Sequence, residues 1–586
     1  MKLFFKIFFA SLTALVIFSV ILFFIALGIL RSATSPDKPD LGSNGILVLD
    51  LSTMFNEQAK NNPLAFLSGD AASNAPGLYD VVRMIHYAKT DSTIKGLYIK
   101  ADYNSNGYAS SEELVQAVND FKESKKFVIA YGENLTQKSY YVAATADKVY
   151  CHPKGMLEWD GFSVNLLFMK DLLDRLEIQP QIFYAGKFKS ATEPFRANQM
   201  TEPNRLQTSV FLNDLYGTLL SQTARSRNLD TAELRSLAVN GSIRSSYDAL
   251  KYHLIDGVKY DDEVKQELFR LTKQKEKEKL NLISFGKYDK AVDYKDVNGK
   301  DKIAVLYASG EIVDGKGKEE QIGSDDFRDL LRKLRMDDEV KAIVFRVNSP
   351  GGSALASDVI WREISLAKKV KPVVVSMGDY AASGGYYISC AADSIYADPG
   401  TLTGSIGVFT MIPNMQSFFK NKLGISFDGV KTGPYADMGS ITRPLTNGEE
   451  TMLQNDIDSV YYTFKSRVAN GRNKSVDYID SIAQGRVWTG ERAIDIGLVD
   501  KTGTLNDAIA CAARMAKTKD YRTREYPEQK SLLEQLLGDS YSKTIKANAI
   551  KEEIGEHQYN ILQKVQKLKG LFGITQARLP FDFDFH

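Results

Sequence analysis

The chain contains the same α/β pattern twice. Displaced by 246 positions, Asp80 to Pro153 lies on Asp326 to Pro399 without a gap. Asp91 then meets Asp337, Lys95 meets Lys341, Gly132 meets Gly378, and the pair Tyr140–Tyr141 meets Tyr386–Tyr387. Further on, Ala249, Leu254 and Asp256 fall on Ala493, Leu498 and Asp500 at a displacement of 244. A gapless run with matched strand and helix patterns marks duplicated structure. Within each copy, short apolar runs alternate with amphipathic stretches. Ile46 to Leu51, Gly96 to Lys100 and Phe127 to Ala130 read as strands, and Tyr79 to Ala88 reads as a helix. That alternation implies right-handed βαβ units and a mainly parallel sheet.

The copies span about 45–270 and 301–515, joined by a charged linker over 272–300 that contains KQKEKEK. Residues 32–44 form a polar linker. A C-terminal extension, 519–586, is expected to be helical over Leu532 to Leu537 and Ile550 to Leu571, ending in the aromatic LPFDFDFH. Its expected role is a packing extension or an oligomer contact.

Residues 1–31 stand apart. After Lys2 and Lys6, the 24 residues from Ile7 to Leu30 carry no charge. As a helix they would span ~36 Å, enough to cross a bilayer. A cleaved signal peptide is the competing reading, but the run is longer than a usual apolar signal core and LRSATS is a poor cleavage site. A retained anchor is therefore expected, with the basic N-terminus inside and the remaining domains outside the cytoplasm.

Lys and Arg number 74 against 73 for Asp and Glu, so no general nucleic-acid footprint is present. The three cysteines, Cys151, Cys390 and Cys511, form no CxxC pair. The five histidines have no ligand spacing, and no metal or cofactor is expected.

The copies disagree in one place. In the second, a strand-like run from Pro372 to Met377 ends at Gly378 and turns through Asp379 to Ala382 into Ser383, Gly384 and Gly385. A serine on such a turn is openly presented, and the backbone N–H of the next residue and the following helix N-terminus can stabilise an oxyanion. An ordinary βα turn would use the same small residues. Upstream, Phe345 to Val347 leads into Asn348, Ser349, Pro350, Gly351 and Gly352, where backbone without Cβ atoms suits an oxyanion cradle. The first copy carries Asp102 to Asn106 in place of the cradle and Gln137, Lys138 and Ser139 opposite Ser383 to Gly385. Both features are lost together there.

A nucleophilic serine needs a base. None of the histidines suits: His86 and His253 sit on helix-like stretches, His152 precedes a proline, and His557 and His586 lie near the end of the sequence. A lysine can serve only when neutral, which requires its pKa to fall by roughly 3 units from ~10.4. IFYAGKFKSATEPF, residues 182–195, offers Lys187 and Lys189 on either side of Phe188. Aligned on Gly186 and Gly433, these meet Pro434 and Ala436 of the second copy. Pairing within one copy would therefore give Gln137 with either lysine and Ser383 with Pro434 or Ala436, none of which can react. A site between copies would unite Ser383 with Lys187 or Lys189.

The motifs NSPGG (348–352), AASGGYY (381–387), TGSIGV (403–408) and FKSATEPF (188–195) resemble those of the signal peptide peptidase A family in its long, two-repeat, membrane-anchored form. The resemblance covers the anchor and both repeats, without departure at the four motifs. It implies an α/β fold of two tandem ClpP/crotonase-like spiral domains behind an N-terminal transmembrane helix. It also implies Ser383 as nucleophile, Lys189 as general base, Ser405 as a hydrogen-bond partner of the lysine, and the amides of Gly351, Gly352 and Gly384 as oxyanion donors. Members are membrane-bound serine endopeptidases of the bacterial inner membrane, with catalytic domains outside the cytoplasm. They assemble as homotetramers and degrade remnant signal peptides and other extended segments. Two other classes share parts of the pattern. A crotonase-like acyl-CoA enzyme would bind CoA without needing the anchor, and an inactive membrane scaffold would leave Ser383 unlabelled by acylating probes.

Overall fold

The computed structural model describes residues 2–33, 38–59, 75–274, 279–295, 298–318, 320–528, 555 and 573–579. Apart from Gly555, the expected helices at Leu532 to Leu537 and Ile550 to Leu571 fall outside these residues. Lys2–Ala33 is one continuous helix, and its Phe4–Ile21 stretch is apolar and long enough to cross a membrane.

The first repeat is built on a parallel sheet. Its strands lie in the order Gly257–Val258, Lys148–Cys151, Phe127–Gly132, Ile94–Lys100, Gly45–Asp50 and Leu282–Ser284. The second repeats that order: Lys501–Thr502, Ser394–Ala397, Val373–Ala382, Val340–Ser349, Asp301–Ser309 and Tyr521–Tyr526, all parallel. Buried β-branched runs such as Val373 to Val375, apolar on both faces, are what a helix-covered parallel sheet requires. In both repeats the last strand comes from beyond the expected boundary. Leu282–Ser284 belongs to the stretch read as linker, and Tyr521–Tyr526 to the stretch read as extension. Three- and six-residue edge strands with charged neighbours carry too weak a period-2 signal to stand out from a linker.

The residues that the copies share are the ones that hold this fold together. Asp147 accepts from the Val128 amide at 2.8 Å, and its counterpart Asp393 accepts from the Val373 amide at 2.9 Å. Asp256 and Asp500 accept from the Val149 and Ile395 amides, each at 2.8 Å. Tyr140 and Tyr386 are fully buried and donate their hydroxyls to the Leu254 and Leu498 carbonyls. Each repeat also carries a 26-residue helix, Glu202–Arg227 or Asn447–Arg472. Each of these is capped by a threonine, Thr201 or Thr446, and closed by a left-handed asparagine, Asn228 or Asn473.

A third sheet crosses between the repeats. Its strands run Gln321–Gly323, Glu311–Val313, Gly351–Ser353, Gln576–Arg578, Val408–Asn414 and Gln179–Ala185. Gln179–Ala185 of the first repeat pairs antiparallel along the whole of Val408–Asn414 of the second. A buried charge cluster ties the repeats at a second point. Arg346, on the strand Val340–Ser349, pairs with Glu57 at 2.7 Å and with Glu113 at 2.7 Å, both from the first repeat. Arg346 is 1% exposed, so its charge depends on those carboxylates. Cys151, Cys390 and Cys511 are free thiols and buried.

Candidate active site

Ser383 stands where the strand Val373–Ala382 ends and the helix Gly384–Ser389 begins. Its backbone is held at φ 57°, ψ −114°, a conformation that costs a non-glycine residue on the order of 1–3 kcal/mol. Bonds on both sides enforce it: the Ser383 amide donates to Gly404 O at 2.8 Å, and Tyr387 N donates to Ser383 O at 2.8 Å. The glycines that follow are steric necessities, since a Cβ on Gly385 would lie 2.6 Å from the Ser349 carbonyl oxygen.

The Asn348 to Gly352 segment wraps the same turn. Gly351 takes φ 101° and donates its amide to Ser349 Oγ at 3.2 Å. The Gly384 amide nitrogen lies 2.8 Å from the position of a Cβ on Gly351, so these two glycines line one cleft. Gly352 lies against Ile312 on the neighbouring strand Glu311–Val313.

Lys189 arrives from the other repeat, directly after the strand Gln179–Ala185 and the turn at Gly186, φ 105°. Its Nζ lies 2.9 Å from Ser383 Oγ, 3.2 Å from Ser405 Oγ and 3.3 Å from Ser405 O. Ser383 and Ser405 are fully buried and Lys189 is 1% exposed. Burial alone holds the Lys189 amine well below the usual lysine value. Pairing that strand with Val408–Asn414 aims the lysine, because Val408 follows Ser405 by three residues. Ser405 is itself held at φ 49°, its amide donating to Arg486 O at 2.7 Å.

Lys187 points elsewhere. It is exposed, with its Nζ 5.3 Å from the centre of the Phe188 ring. In the first repeat Gln137, opposite Ser383 in the alignment, is buried and bonded to Gly161 O at 2.9 Å and to Asp160 at 3.2 Å. Ala436, opposite Lys189, lies on an exposed segment. Among the described histidines, His86 pairs with Asp120 at 2.8 Å and His152 accepts from the Lys154 amide at 3.1 Å. His253 lies in a turn at φ 60° rather than on the helix expected for it, because the helix Ser246–Lys251 has already ended.

Two residues that position Lys189 leave no local signal in the sequence. Gln207, buried on the helix Glu202–Arg227, donates to Phe188 O and to Ser190 Oγ, each at 3.0 Å, and accepts from the Val487 amide at 3.2 Å. Gly485 comes so close that a Cβ there would lie 2.7 Å from Lys189 Cβ. Both act from positions distant in sequence, where neither residue type advertises a role.

The chain matches peptidase family S49 over residues 120–275 and 365–519, one match in each repeat. It is 34% identical over 551 residues to Protease 4 of Salmonella typhi, covering 91% of this chain and 88% of that one. It is also 34% identical over 530 residues to Protease 4 of Haemophilus influenzae, covering 85% of each. Among solved structures, a ClpP1 N165D mutant from Listeria monocytogenes matches 35% of this chain and 94% of its own, at 18% identity and a TM-score of 0.24. A family match in both repeats and relatives aligned over nearly the whole length give one answer: the chain belongs to peptidase family S49 and is a serine protease.

Proposed function

We propose that Ser383 and Lys189 form a Ser–Lys dyad that cleaves extended peptides through an acyl-enzyme. One observation carries the reading: a buried lysine amine 2.9 Å from a buried serine hydroxyl at a strained turn. The neutral amine accepts the Ser383 proton as Oγ attacks the peptide carbonyl. The resulting ammonium then protonates the departing amine. After deprotonation the same lysine activates water, whose attack on the ester frees Ser383. Ser405 holds the amine on line with its hydroxyl and carbonyl. Gly384, with Gly352 beside it, supplies amides for the oxyanion in a water-poor cleft, where such donors count most, and the Gly351 amide joins them by releasing Ser349 Oγ.

Substrates on this reading are remnant signal peptides and other extended apolar segments. The protein is held by Lys2–Ala33 in the bacterial inner membrane, with both repeats on the extracytoplasmic side. The chain assembles as a homotetramer on this reading, and self-association is supported by an exposed apolar segment between the strand Val408–Asn414 and the helix Asn447–Arg472, where Ile425, Phe427 and Val430 face solvent. Ala436 lies in that same segment.

The pH profile tests the dyad. Burial lowers the Lys189 pKa, so the reactive amine gains population as pH rises. Activity should climb through a midpoint well below the ~10.4 of a free lysine and then level off. EDTA should leave the rate unchanged. A profile rising only above pH 10, or EDTA inhibition reversed by a divalent ion, would refute the dyad.

The cross-repeat origin of the dyad has its own test. Adding Ala436→Lys to Lys189→Ala should restore no measurable peptidase activity, because position 436 lies on an exposed segment whereas Ser383 is fully buried beside Lys189. Recovery to a tenth of the parent rate would contradict that assignment.

A further inference from the structure

The third sheet has a strand lodged between the two loops that build the site. Gln576–Arg578 runs antiparallel to Gly351–Ser353, with Gly352 opposite Ala577, and its other edge meets Val408–Asn414 at Phe409. The flanking strands lead directly out of the Asn348–Pro350 and Ser405 loops. Backbone bonds anchor the segment along its length. Gly573 N donates to Met411 O at 3.0 Å, Ala354 N to Thr575 O at 3.1 Å, and Leu579 N to Pro350 O at 2.8 Å. The Ala577 carbonyl oxygen lies in the cleft between Gly351 and Gly384. It would collide with a Cβ on Gly351, and it lies 3.0 Å from where a Cβ on Gly384 would be.

The side chains are seated as an extended ligand's would be. Ala577 is fully buried and Leu579 is 2% exposed. Leu579 enters an apolar pocket formed with Tyr108, Phe211, Leu215, Leu402 and Val487, residues of both repeats. Arg578 pairs with Glu311 at 2.8 Å. An extended peptide offered to Ser383 must add as a strand in this same slot, since backbone pairing at a sheet edge is how such chains are held. While the segment is seated, the slot is full.

We infer that residues 573–579 are a displaceable pseudosubstrate strap. They hold the peptide slot closed, and they display the chemistry it accepts: a small residue against Gly351 and Gly384 and a branched apolar residue two positions on. The inference rests on reading the Ser383–Lys189 cleft as the peptide-cleaving site. Catalysis then requires the strap to leave, so any incoming peptide competes with a tethered occupant, and its apparent affinity falls by the fraction of time the slot is free.

The test is binding of a fluorescein-labelled peptide of sequence GITQARL, the strap's own residues 573–579, to Ser383→Ala protein. A chain ending at residue 572 should bind it at least tenfold more tightly than the full chain. Full-length Leu579→Asp and Ala577→Trp proteins, whose straps no longer fit the buried slot, should behave like the shortened one. They guard against misfolding of the truncated chain. A labelled peptide in which tryptophan replaces the alanine should not bind. Equal affinity for the full chain and all three strap variants, or no binding to any of them, would overturn the strap. Because these proteins lack the Ser383 hydroxyl, the result is independent of the dyad. A dyad that fails its pH test beside a strap that passes here would separate the two ideas.

Discussion

Ser383→Ala and Lys189→Ala are each expected to lower kcat/KM for an extended peptide by about three orders of magnitude or more, with circular dichroism and thermal midpoint close to the parent's. Ser383 Oγ bonds Lys189 Nζ at 2.9 Å and Gly407 O at 3.4 Å, and Lys189 keeps its bonds to Ser405 when that hydroxyl is removed, so its loss should cost little stability. Lys189 is different, because its stem fills space among buried groups. Lys189→Met keeps most of that volume while removing the amine, and should be as inactive as Lys189→Ala and better folded. Since the two groups act as a unit, the double variant should be no worse than either single one. Lys187→Ala should stay within about twofold of the parent, as this side chain is exposed and lies over Phe188. Steady-state kinetics on a fluorogenic peptide decides the matter. Wild-type rates in the Lys189 variants, or an equal loss in the Lys187 variant, would contradict the assignment.

Arg346→Met is expected to be the most destabilising single substitution outside the active site. The guanidinium holds Glu57 through Nε at 2.7 Å and Nη2 at 3.2 Å, and it also bonds Ser376 Oγ at 2.9 Å and Met377 O at 3.2 Å. Three acidic groups surround it. Burial pushes the Glu113 carboxyl up to about 7, with Arg346 opposing the shift, and raises Asp398 well above the usual carboxylate range. Removing this cation leaves Glu57 and Glu113 without their buried partner, a change worth about 3–5 kcal/mol. A fall in Tm on the order of 10 °C should follow. Arg346→Lys should recover little, because one ammonium cannot reproduce the planar fork. Adding Glu57→Gln to Arg346→Met should recover part of the loss by removing one stranded charge. An unchanged Tm in Arg346→Met would show that the cluster does not fasten the repeats.

Several parts of this architecture were legible because they repeat. Asp256 and Tyr140 and their partners Asp500 and Tyr386 bond the same backbone groups in each copy, and Asp147 and Asp393 do so within one residue, at Val128 and Val373. A residue required by the fold is required twice, so the comparison of copies reads out the scaffold. Where the copies differ, at Ser383 against Gln137, the scaffold is not what selects the residue. In the first copy Gln137 is fastened to Gly161 by bonds in both directions, at 2.9 and 3.0 Å, and offers no hydroxyl. The edge strands Leu282–Ser284 and Tyr521–Tyr526 escaped notice for the opposite reason, being short and lacking a shared motif.

By itself the sequence determined that two βαβ units lie in tandem, which copy carries the serine turn and the glycine cradle, and that lysines rather than histidines are on offer for the proposed base. These are local properties: strand periods, turn residues and residue chemistry are set within a few neighbours of each position. Only the tertiary structure decided how close Lys189 and Ser383 come, what buries the amine, and what lies in the peptide slot. The 2.9 Å approach depends on Gln179–Ala185 pairing with Val408–Asn414 and on Gly485 and Gln207 closing over the lysine loop. The strap at 573–579 is likewise invisible in GITQARL, a short polar-apolar stretch without motif. Antiparallel pairing between strands hundreds of residues apart is specified by backbone hydrogen bonds that every sequence can make. Its partner is chosen by which edge the folded scaffold leaves open.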